Sequence, residues 1–463
     1  MWTREARGAA RAVLSADKTG LLTAFLGGLP GHVAARLARA VELDRLMDGN
    51  LPHEDILTGL RPVLRRDPHD RAPTPLRLFC LPFQDLLSSA PRKAKQKAVI
   101  ARATVMPLWT WLSRTLLPGE TAVYETEAKA LILAQKSNDA LARAGRYWML
   151  AAEALAAALA EEKTARGVLG DDMAVADARE IVLILSAAQA VLKIQALMPV
   201  PAPMHEDLLW ELRAVYDGLV AGQPDAAPYV AVIAMNRLSR PWEGLRLPLM
   251  IARQTRDTLI AQTDMGLVGE ILFGRLDAMQ SEIRATRHPL FDADRLLEQV
   301  RAFAELSSAV VKEIEVRRDG EWGQRLLKDR AQVGAVMDGL MERAPREVAA
   351  ALPMQRGAGK SADFSRAIDA EKRELALRYV RLVVGSRNFA AAASFGASQK
   401  AAFEELCAYL RRYNEDVVKE MRGPANPVME TQFAFATDLT ALLFSAEEAE
   451  LMRRRGKAAQ AAA

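Results

Sequence analysis

The sequence has few of the residues that usually carry metal or redox chemistry. Among its 463 residues there are two cysteines and five histidines. Cys80 and Cys407 are far apart and lie in apolar surroundings, so they fit buried free thiols of a reducing compartment better than a disulfide. The histidines show no metal-ligand spacing. We therefore expect no metal site and no cofactor.

Motifs of known catalytic sites are also missing. There is no Gly-x-Ser-x-Gly elbow and no dinucleotide-binding glycine fingerprint. The segment Gly357–Ser361 ends like a phosphate-binding loop, but Met354 occupies the position of the first glycine and no strand pattern precedes it. We interpret it as a flexible linker. The sequence thus predicts no catalytic residue, and an enzyme whose site is assembled from distant residues is kept as an alternative.

No apolar run is long enough for a membrane span. Tyr147–Ala160 and Ile181–Leu192 are the longest runs of low polarity, and each contains a polar residue. The shorter run Leu21–Leu29 follows acidic residues, and no clear small-residue cleavage site comes after it, which argues against a signal peptide. These patterns predict a cytoplasmic protein without a transmembrane segment.

Strand signals are scarce, since alternating β-branched runs and Asn-Gly turns are nearly absent. Half of the residues are hydrophobic and 26% are charged, as in ordinary soluble proteins with ample core. Apolar residues recur at helical spacing throughout, and glycine and proline fall mostly between these segments. We predict an all-α protein, either a multi-helix bundle or an irregular helical array with two to three subdomains.

Two breaks divide the chain. Pro199, Pro201 and Pro203 cannot lie inside a helix, and Pro353–Ser361 is rich in loop residues. The predicted parts are an N-terminal helical domain (1–198), a middle helical domain (199–356) and a C-terminal helical segment (357–463). The last of these ends in Met452–Ala463, a basic, alanine-rich tail with little to anchor it to a core.

One short pattern occurs twice. His53–Val63 and His205–Val215 agree at eight of eleven positions when Ile56 and Leu208 are counted as alike. A duplicated helical unit explains this agreement. Two independent helices that both place acidic residues in the first turn, where the helix dipole favours them, explain it equally.

The stretch Leu76–Leu117 combines aromatic residues with the densest cationic run of the chain. Between residues 61 and 102 ten Lys or Arg stand against three Asp or Glu, whereas residues 119–185 carry seven against eleven. By default we expect these two patches to face each other within the fold. If they do not, the candidate partner-binding residues are Arg92, Lys93, Lys95, Lys97, Arg102, Trp109 and Trp111.

The local structure of this stretch is ambiguous at its start. Residues 76–87 fit a helix from Phe79, or a short extended entry followed by a helix near Pro82. Ser88–Pro91 is typical of a helix start, which would place the cations in the first two turns, where the dipole disfavours them. Pro107 predicts a kink or a break.

The leading hypothesis is a non-catalytic, cytoplasmic helical interaction or regulatory protein that binds a protein partner. The alternative is a binder of nucleic acid or of an anionic surface through the basic run 92–102. The formal net charge of +4 is too small for a global nucleic-acid footprint, so only a local one is consistent with the sequence.

Overall fold

The computed structural model describes residues 16–47, 49–66, 73–90, 92, 94–253, 257–286, 288–289, 291–317, 319–355 and 361–461. It is 78% helical, which confirms the all-α prediction. The residues group into two compact units, one formed by 1–201 with 210–237 and the other by 202–209 with 238–463. The division into three parts at residues 198 and 356 stays a prediction.

The first unit contains most of the shorter helices. They are α1 (Ala16–Gly27), α2 (Gly31–Leu46), α3 (His53–Arg66), α4 (Pro75–Cys80), α5 (Arg102–Trp111), α6 (Pro118–Leu133), α7 (Ser137–Leu159), α8 (Glu162–Leu169), α9 (Asp172–Ser186), α10 (Ala188–Leu197), most of α11 (Glu206–Gly222) and α12 (Pro228–Arg237). Short 3-10 helices cover Leu81–Leu86 and Pro224–Ala226.

A cluster of aromatic side chains forms the centre of this unit. The rings of Tyr124 on α6 and Tyr147 on α7 stack with centroids 4.3 Å apart. Trp109 meets both rings nearly edge-on, and Phe79 lies 5.0 Å from Trp109. The hydroxyl of Tyr124 donates to the Pro75 carbonyl at 2.7 Å, so burial of the ring leaves no donor unpaired. The aromatic residues of the central stretch are therefore core residues.

The structure shows where the first helix of the stretch Leu76–Leu117 begins. Helix α4 begins at Pro75, where the Thr74 side chain accepts a hydrogen bond from the Arg77 amide, as expected of an N-cap. The helix starts earlier than either sequence-based interpretation placed it. The 3-10 helix that follows contains Pro82 in its first turn, where the missing amide proton costs no hydrogen bond.

The expected helix start at Ser88–Pro91 is wrong. Leu87–Ser88 (β1) and Ile100–Ala101 (β2) form a two-residue parallel pair, and the described residues between them run as a loop. Since Arg92, Lys95 and Lys97 lie in this loop and not in a first helical turn, the dipole of the expected helix does not act on them. Helix α5 continues through Pro107 and passes into a π-helical turn at Leu112–Leu116, so the proline does not end it.

The second unit contains the longest helices. They are α13 (Arg246–Ala252), α14 (Asp257–Ala261), α15 (Gly266–Arg284), α16 (Ala293–Glu313), α17 (Glu321–Ala351), α18 (Ala370–Gly385), α19 (Gly396–Glu420), α20 (Pro427–Leu443) and α21 (Ala446–Ala461), with a 3-10 helix at Pro241–Leu245. Side-chain caps from Asp292, Asp369 and Asn426 begin α16, α18 and α20. Helix α17 packs against α15, α18 and α19 and forms the centre of the unit.

The predicted C-terminal tail is instead an anchored helix. Met452 and Ala459 on α21 are buried. Gly456 allows a close approach to α20, since a Cβ atom there would lie 2.4 Å from the Phe433 ring. This anchoring was not predicted from the sequence, because the buried residues other than Met452 are small and stand among arginines.

The structure describes only part of the loop around Gly357–Ser361. Residues 356–360, which include most of the Gly357–Ser361 segment, lie outside the described residues. The chain on either side of them is joined by a Gln355–Ser361 backbone hydrogen bond of 2.8 Å.

The two histidines of the repeated pattern make different contacts. His53 Nε2 lies 2.9 Å from Asp44 Oδ2, whereas His205 Nδ1 accepts from the Leu208 amide at 3.1 Å. Duplication stays a prediction.

Candidate functional site

The cationic loop of the first unit is held by two carboxylates of α9. Arg92 forms a bidentate ion pair with Asp177, with nitrogen–oxygen distances of 2.7 and 2.6 Å. Lys95 Nζ lies 2.6 Å from Glu180 Oε2 and 2.8 Å from Asp177 Oδ1. Two of the predicted binding residues are thus paired within the fold, as expected if the basic and acidic patches face each other.

The two carboxylates also bind the backbone that follows the loop. Asp177, which is fully buried, accepts from the Ala101 amide at 3.0 Å and from the Thr104 hydroxyl at 2.8 Å. Glu180 Oε1 accepts from the Ala98 amide at 2.9 Å. Because Asp177 and Glu180 are three residues apart on one helix, they lie on the same face. Together they bind the loop at Arg92 and Lys95 and the backbone amides at Ala98 and Ala101. The cluster is built to position the loop.

Electrostatics in the cluster favour the charged forms. Burial raises the pKa of the Asp177 carboxyl, but hydrogen bonds from Arg92, Lys95 and the Ala101 amide outweigh this effect and leave the pKa below its ordinary value. The hydrogen bond to Asp177 raises the pKa of the Arg92 guanidinium. A carboxylate held this way is a structural partner and a poor general base.

The remaining predicted binding residues divide into exposed and buried ones. Lys97 and Arg102 are exposed, while Lys93 lies outside the described residues. Trp109 and Trp111 are only 7% and 4% exposed. The cations and the aromatic side chains therefore do not form one continuous exposed surface among the described residues.

A different surface of the first unit is exposed and apolar. Leu21 and Phe25, one turn apart on α1, have 74% and 66% of their surface exposed. Ala24 is exposed between them. We call Leu21, Ala24 and Phe25 the α1 outer face. It contains no charged residue.

Among the described residues, helix α1 packs through the side opposite this face. Leu26 is 2% exposed and packs on α3, where Gly59 allows the close approach. Leu22 packs against the same small core of α1, α2 and α3. The only charges of the helix are Asp17 and Lys18 in its first turn. Apolar side chains therefore lie on both the buried and the exposed side of α1, and among the described residues nothing covers the α1 outer face.

The α1 outer face was not predicted from the sequence. The run Leu21–Leu29 was interpreted only with respect to a signal peptide. The available signal was a charge-free run of nine residues, about two and a half helical turns, which predicts apolar residues on more than one side of a helix. Which side stays exposed depends on the packing against α3 and cannot be read from the run itself.

The second unit contains a histidine–tyrosine contact of catalytic type. His288 Nδ1 lies 2.7 Å from the Tyr379 hydroxyl, and His288 Nε2 lies 3.8 Å from Glu347 Oε1. Tyr379 is fully buried, and burial raises its pKa to about 12. Because Tyr379 is fully buried, its hydroxyl is closed to solvent in this structure, and the contact with His288 stabilises the packing of α18.

A pair of carboxyl groups lies between α15 and α17. Burial, together with the neighbouring Asp277, raises the pKa of Asp329 to about 7. Its Oδ2 atom is buried without a hydrogen-bond partner among the described residues. Asp277 is itself paired with Arg325. Within the described part of the chain, no group of three or more His, Cys, Asp or Glu residues could hold a metal ion.

Comparisons with known proteins give no relative for this chain: no family model, no curated protein and no solved structure matches it. Among the described helices, none alone is long and apolar enough to cross a bilayer, and α9 with α10 passes that test only as a pair bent by 77°.

Proposed function

We propose that this chain is a non-catalytic helical interaction protein that binds a protein partner through the α1 outer face. The observation that carries the proposal is the exposure of Leu21 and Phe25 on a helix whose other side is already buried. Together with Ala24 these two side chains form a contiguous apolar face, and contiguous exposed apolar surface is typical of sites where a partner binds.

The spacing favours a helix as the occupant. Leu21 and Phe25 form a ridge of one i, i+4 row, and such a ridge fits the groove between side chains of a second helix. Gly20 and Ala24 on its flank are small, and no atom lies within 4 Å of the position of a Gly20 Cβ. A second backbone can therefore come close. We expect a partner helix with apolar residues at i, i+3, i+4 and i+7, as in helix-in-groove recognition.

A lipid surface fits these residues less well than a protein does. Helices that lie in a membrane interface carry several Lys or Arg on the polar face. Helix α1 has one cation, Lys18, beside Asp17, and its inner face is occupied by α3. The charge pattern thus supports a protein partner.

The test compares partner capture by two full-length variants. In Leu21→Glu/Phe25→Glu both apolar side chains become charged, and in Leu327→Glu/Leu451→Glu two exposed leucines of the second unit, at 50% and 48% exposure, change in the same way. Fully burying a Leu or Phe is worth about 1.5–3 kcal/mol. Covering the exposed parts of both is then worth about 2–4 kcal/mol, which is about 30- to 1000-fold in Kd.

Affinity purification from the native cell should recover a protein that the α1 variant loses and the control variant keeps. The recovered protein, once purified, should show this change in Kd, and a photo-crosslinker at position 25 should map to an amphipathic helix. If every captured protein binds both variants equally, or if the crosslink maps to a non-helical segment, the proposal fails.

The alternative function, nucleic-acid or anionic-surface binding through residues 92–102, has less support. Arg92 and Lys95 would have to leave their carboxylates to reach a phosphate. Only Lys97 and Arg102 of the described cations of this run are exposed. Two exposed cations give a much weaker electrostatic footprint than a basic run of five.

A further inference from the structure

The second unit contains a cleft of about 630 Å³ along α16, a volume within the range of small-molecule sites. Arg301, Glu305 and Lys312 line it from positions i, i+4 and i+11, which lie on one face of the helix. The other walls are the 3-10 helix Pro241–Leu245 and the segment between α18 and α19, which contributes Phe389.

With respect to the described residues, the cleft lining has more cations without an ion pair than acids without one. Glu313 at its edge is neutralised by Arg246, with nitrogen–oxygen distances of 2.9 and 3.1 Å. Glu305 is therefore the one acid in the lining that is not neutralised in this way. Three cations of the lining make no ion pair within 4.0 Å among the described residues: Arg240, Arg301 and Lys312.

The lining of the cleft combines cations with aromatic rings. The Arg301 guanidinium lies 5.5 Å from the centre of the Phe389 ring. The Arg246–Glu313 pair joins α13, which directly follows the 3-10 helix of Trp242, to the last residue of α16, and Trp242 and Lys312 both line the cleft. Eleven residues of helix separate Arg301 from Lys312, a distance of about 16 Å along the axis.

We propose that this cleft binds an organic anion of nucleotide size, in which a planar ring stacks on an aromatic side chain and phosphate or carboxylate groups pair with the cations. Aromatic side chains stack on planar rings of any base, and arginine pairs with phosphate or carboxylate in bidentate geometry. Glu305 favours a ligand that also presents a hydrogen-bond donor, such as an exocyclic amine or a hydroxyl group. The site is independent of the α1 outer face.

The test is isothermal titration of the full-length chain with defined probes. AMP and ADP represent a ring with phosphate, 1-naphthoate a ring with carboxylate, adenosine the ring alone and pyrophosphate the anion alone. We expect saturable binding of the nucleotides or of naphthoate, and at least ten-fold weaker binding of adenosine and pyrophosphate. Which of the two ring-bearing anions binds more tightly identifies the anionic group.

Variants then locate the site. Lys312→Gln removes a cation that pairs with no described acid, and Arg301→Gln removes the cation that lies over Phe389. Each should weaken binding at least ten-fold, whereas Arg295→Gln, on the same helix outside the cleft, should not. Trp242→Ala should weaken ring-bearing probes only. The proposal is overturned if no probe binds, if pyrophosphate binds as well as ADP, or if Lys312→Gln and Arg295→Gln behave alike.

Discussion

Asp177 offers the sharpest test of the structure. The change Asp177→Asn keeps the shape of the side chain but removes the charge that faces Arg92 and Lys95. It also replaces one carboxylate oxygen by an NH2 group, which cannot accept a hydrogen bond. Arg92, Lys95, Ala101 and Thr104 all donate to this carboxylate, so some of these donors lose their acceptor. Breaking a buried ion pair by removing one partner typically costs about 3–5 kcal/mol.

We expect the lower end of that range, since the Arg92 and Lys95 side chains are 18% and 19% exposed and keep some hydration after the change. The expected loss is about 3 kcal/mol in the free energy of unfolding of the first unit. For a unit of this size it corresponds to a fall of about 6–12 °C in Tm.

The assay is urea unfolding at pH 7 followed by hydrogen exchange of the peptides that cover residues 94–104. Exchange at Ala98 and Ala101 reports the cluster directly, because their amides donate to Glu180 and Asp177. The matched control is Lys97→Gln in the same loop, where the side chain is exposed and the change should stay within about 0.5 kcal/mol.

A double-mutant cycle with Arg92→Gln should give a coupling energy of at least about 1 kcal/mol, because the two residues share one buried contact. The pH dependence has a defined sign. Since the folded pKa of Asp177 is lowered, its contribution is present above the unfolded pKa and is lost as the pH falls through the folded pKa. Asp177→Asn should lack this acid-side loss. A destabilisation below about 1 kcal/mol, or additive single changes, would refute the role assigned to the cluster.

Three further predictions concern the second unit. Asp329→Asn should raise the free energy of unfolding at pH 8 by up to about 4 kcal/mol. Because the pKa of Asp329 is raised in the folded state, the unchanged protein should lose stability as the pH rises from 4 to 8, and the variant should not. Unfolding curves across this pH range check both results. Gly269→Ala should destabilise by about 1–3 kcal/mol in chemical denaturation, since the new Cβ would lie 2.2 Å from the Trp322 ring, and an unchanged midpoint would contradict the packing. Limited trypsin digestion should leave the bond after Arg453 intact while interhelical loops are cut, because it lies inside α21, and early cleavage there would show that the helix is not anchored.

Several features followed from the sequence alone. The helical class is visible because apolar residues recur at helical spacing over most of the chain, and this pattern needs no knowledge of the fold. The break at Pro199–Pro203 is equally local, since proline lacks the amide that a helix interior requires. The facing of the basic and acidic patches was also a reasonable expectation, because opposite charges in one fold tend to pair.

Short-range rules failed where distant residues decide the local structure. Ser88–Pro91 has the composition of a helix start, yet the chain pairs with Ile100–Ala101 and continues as a loop. The carboxylates that hold this loop lie about 80 residues away on α9. No local pattern specifies which acid of several meets Arg92, so the partner became known only with the packing of α9.

Packing also decided which apolar and charged residues are free. Leu21 and Leu26 look alike in sequence, but α3 covers one and leaves the other exposed. Nothing in the sequence distinguishes Arg246 from Arg301. The fold places the Glu313 carboxylate beside Arg246 and the Phe389 ring beside Arg301. Composition determines how much apolar surface and charge a chain has. Long-range packing determines which part of it is left for a partner, because burial and pairing depend on contacts between residues far apart in sequence.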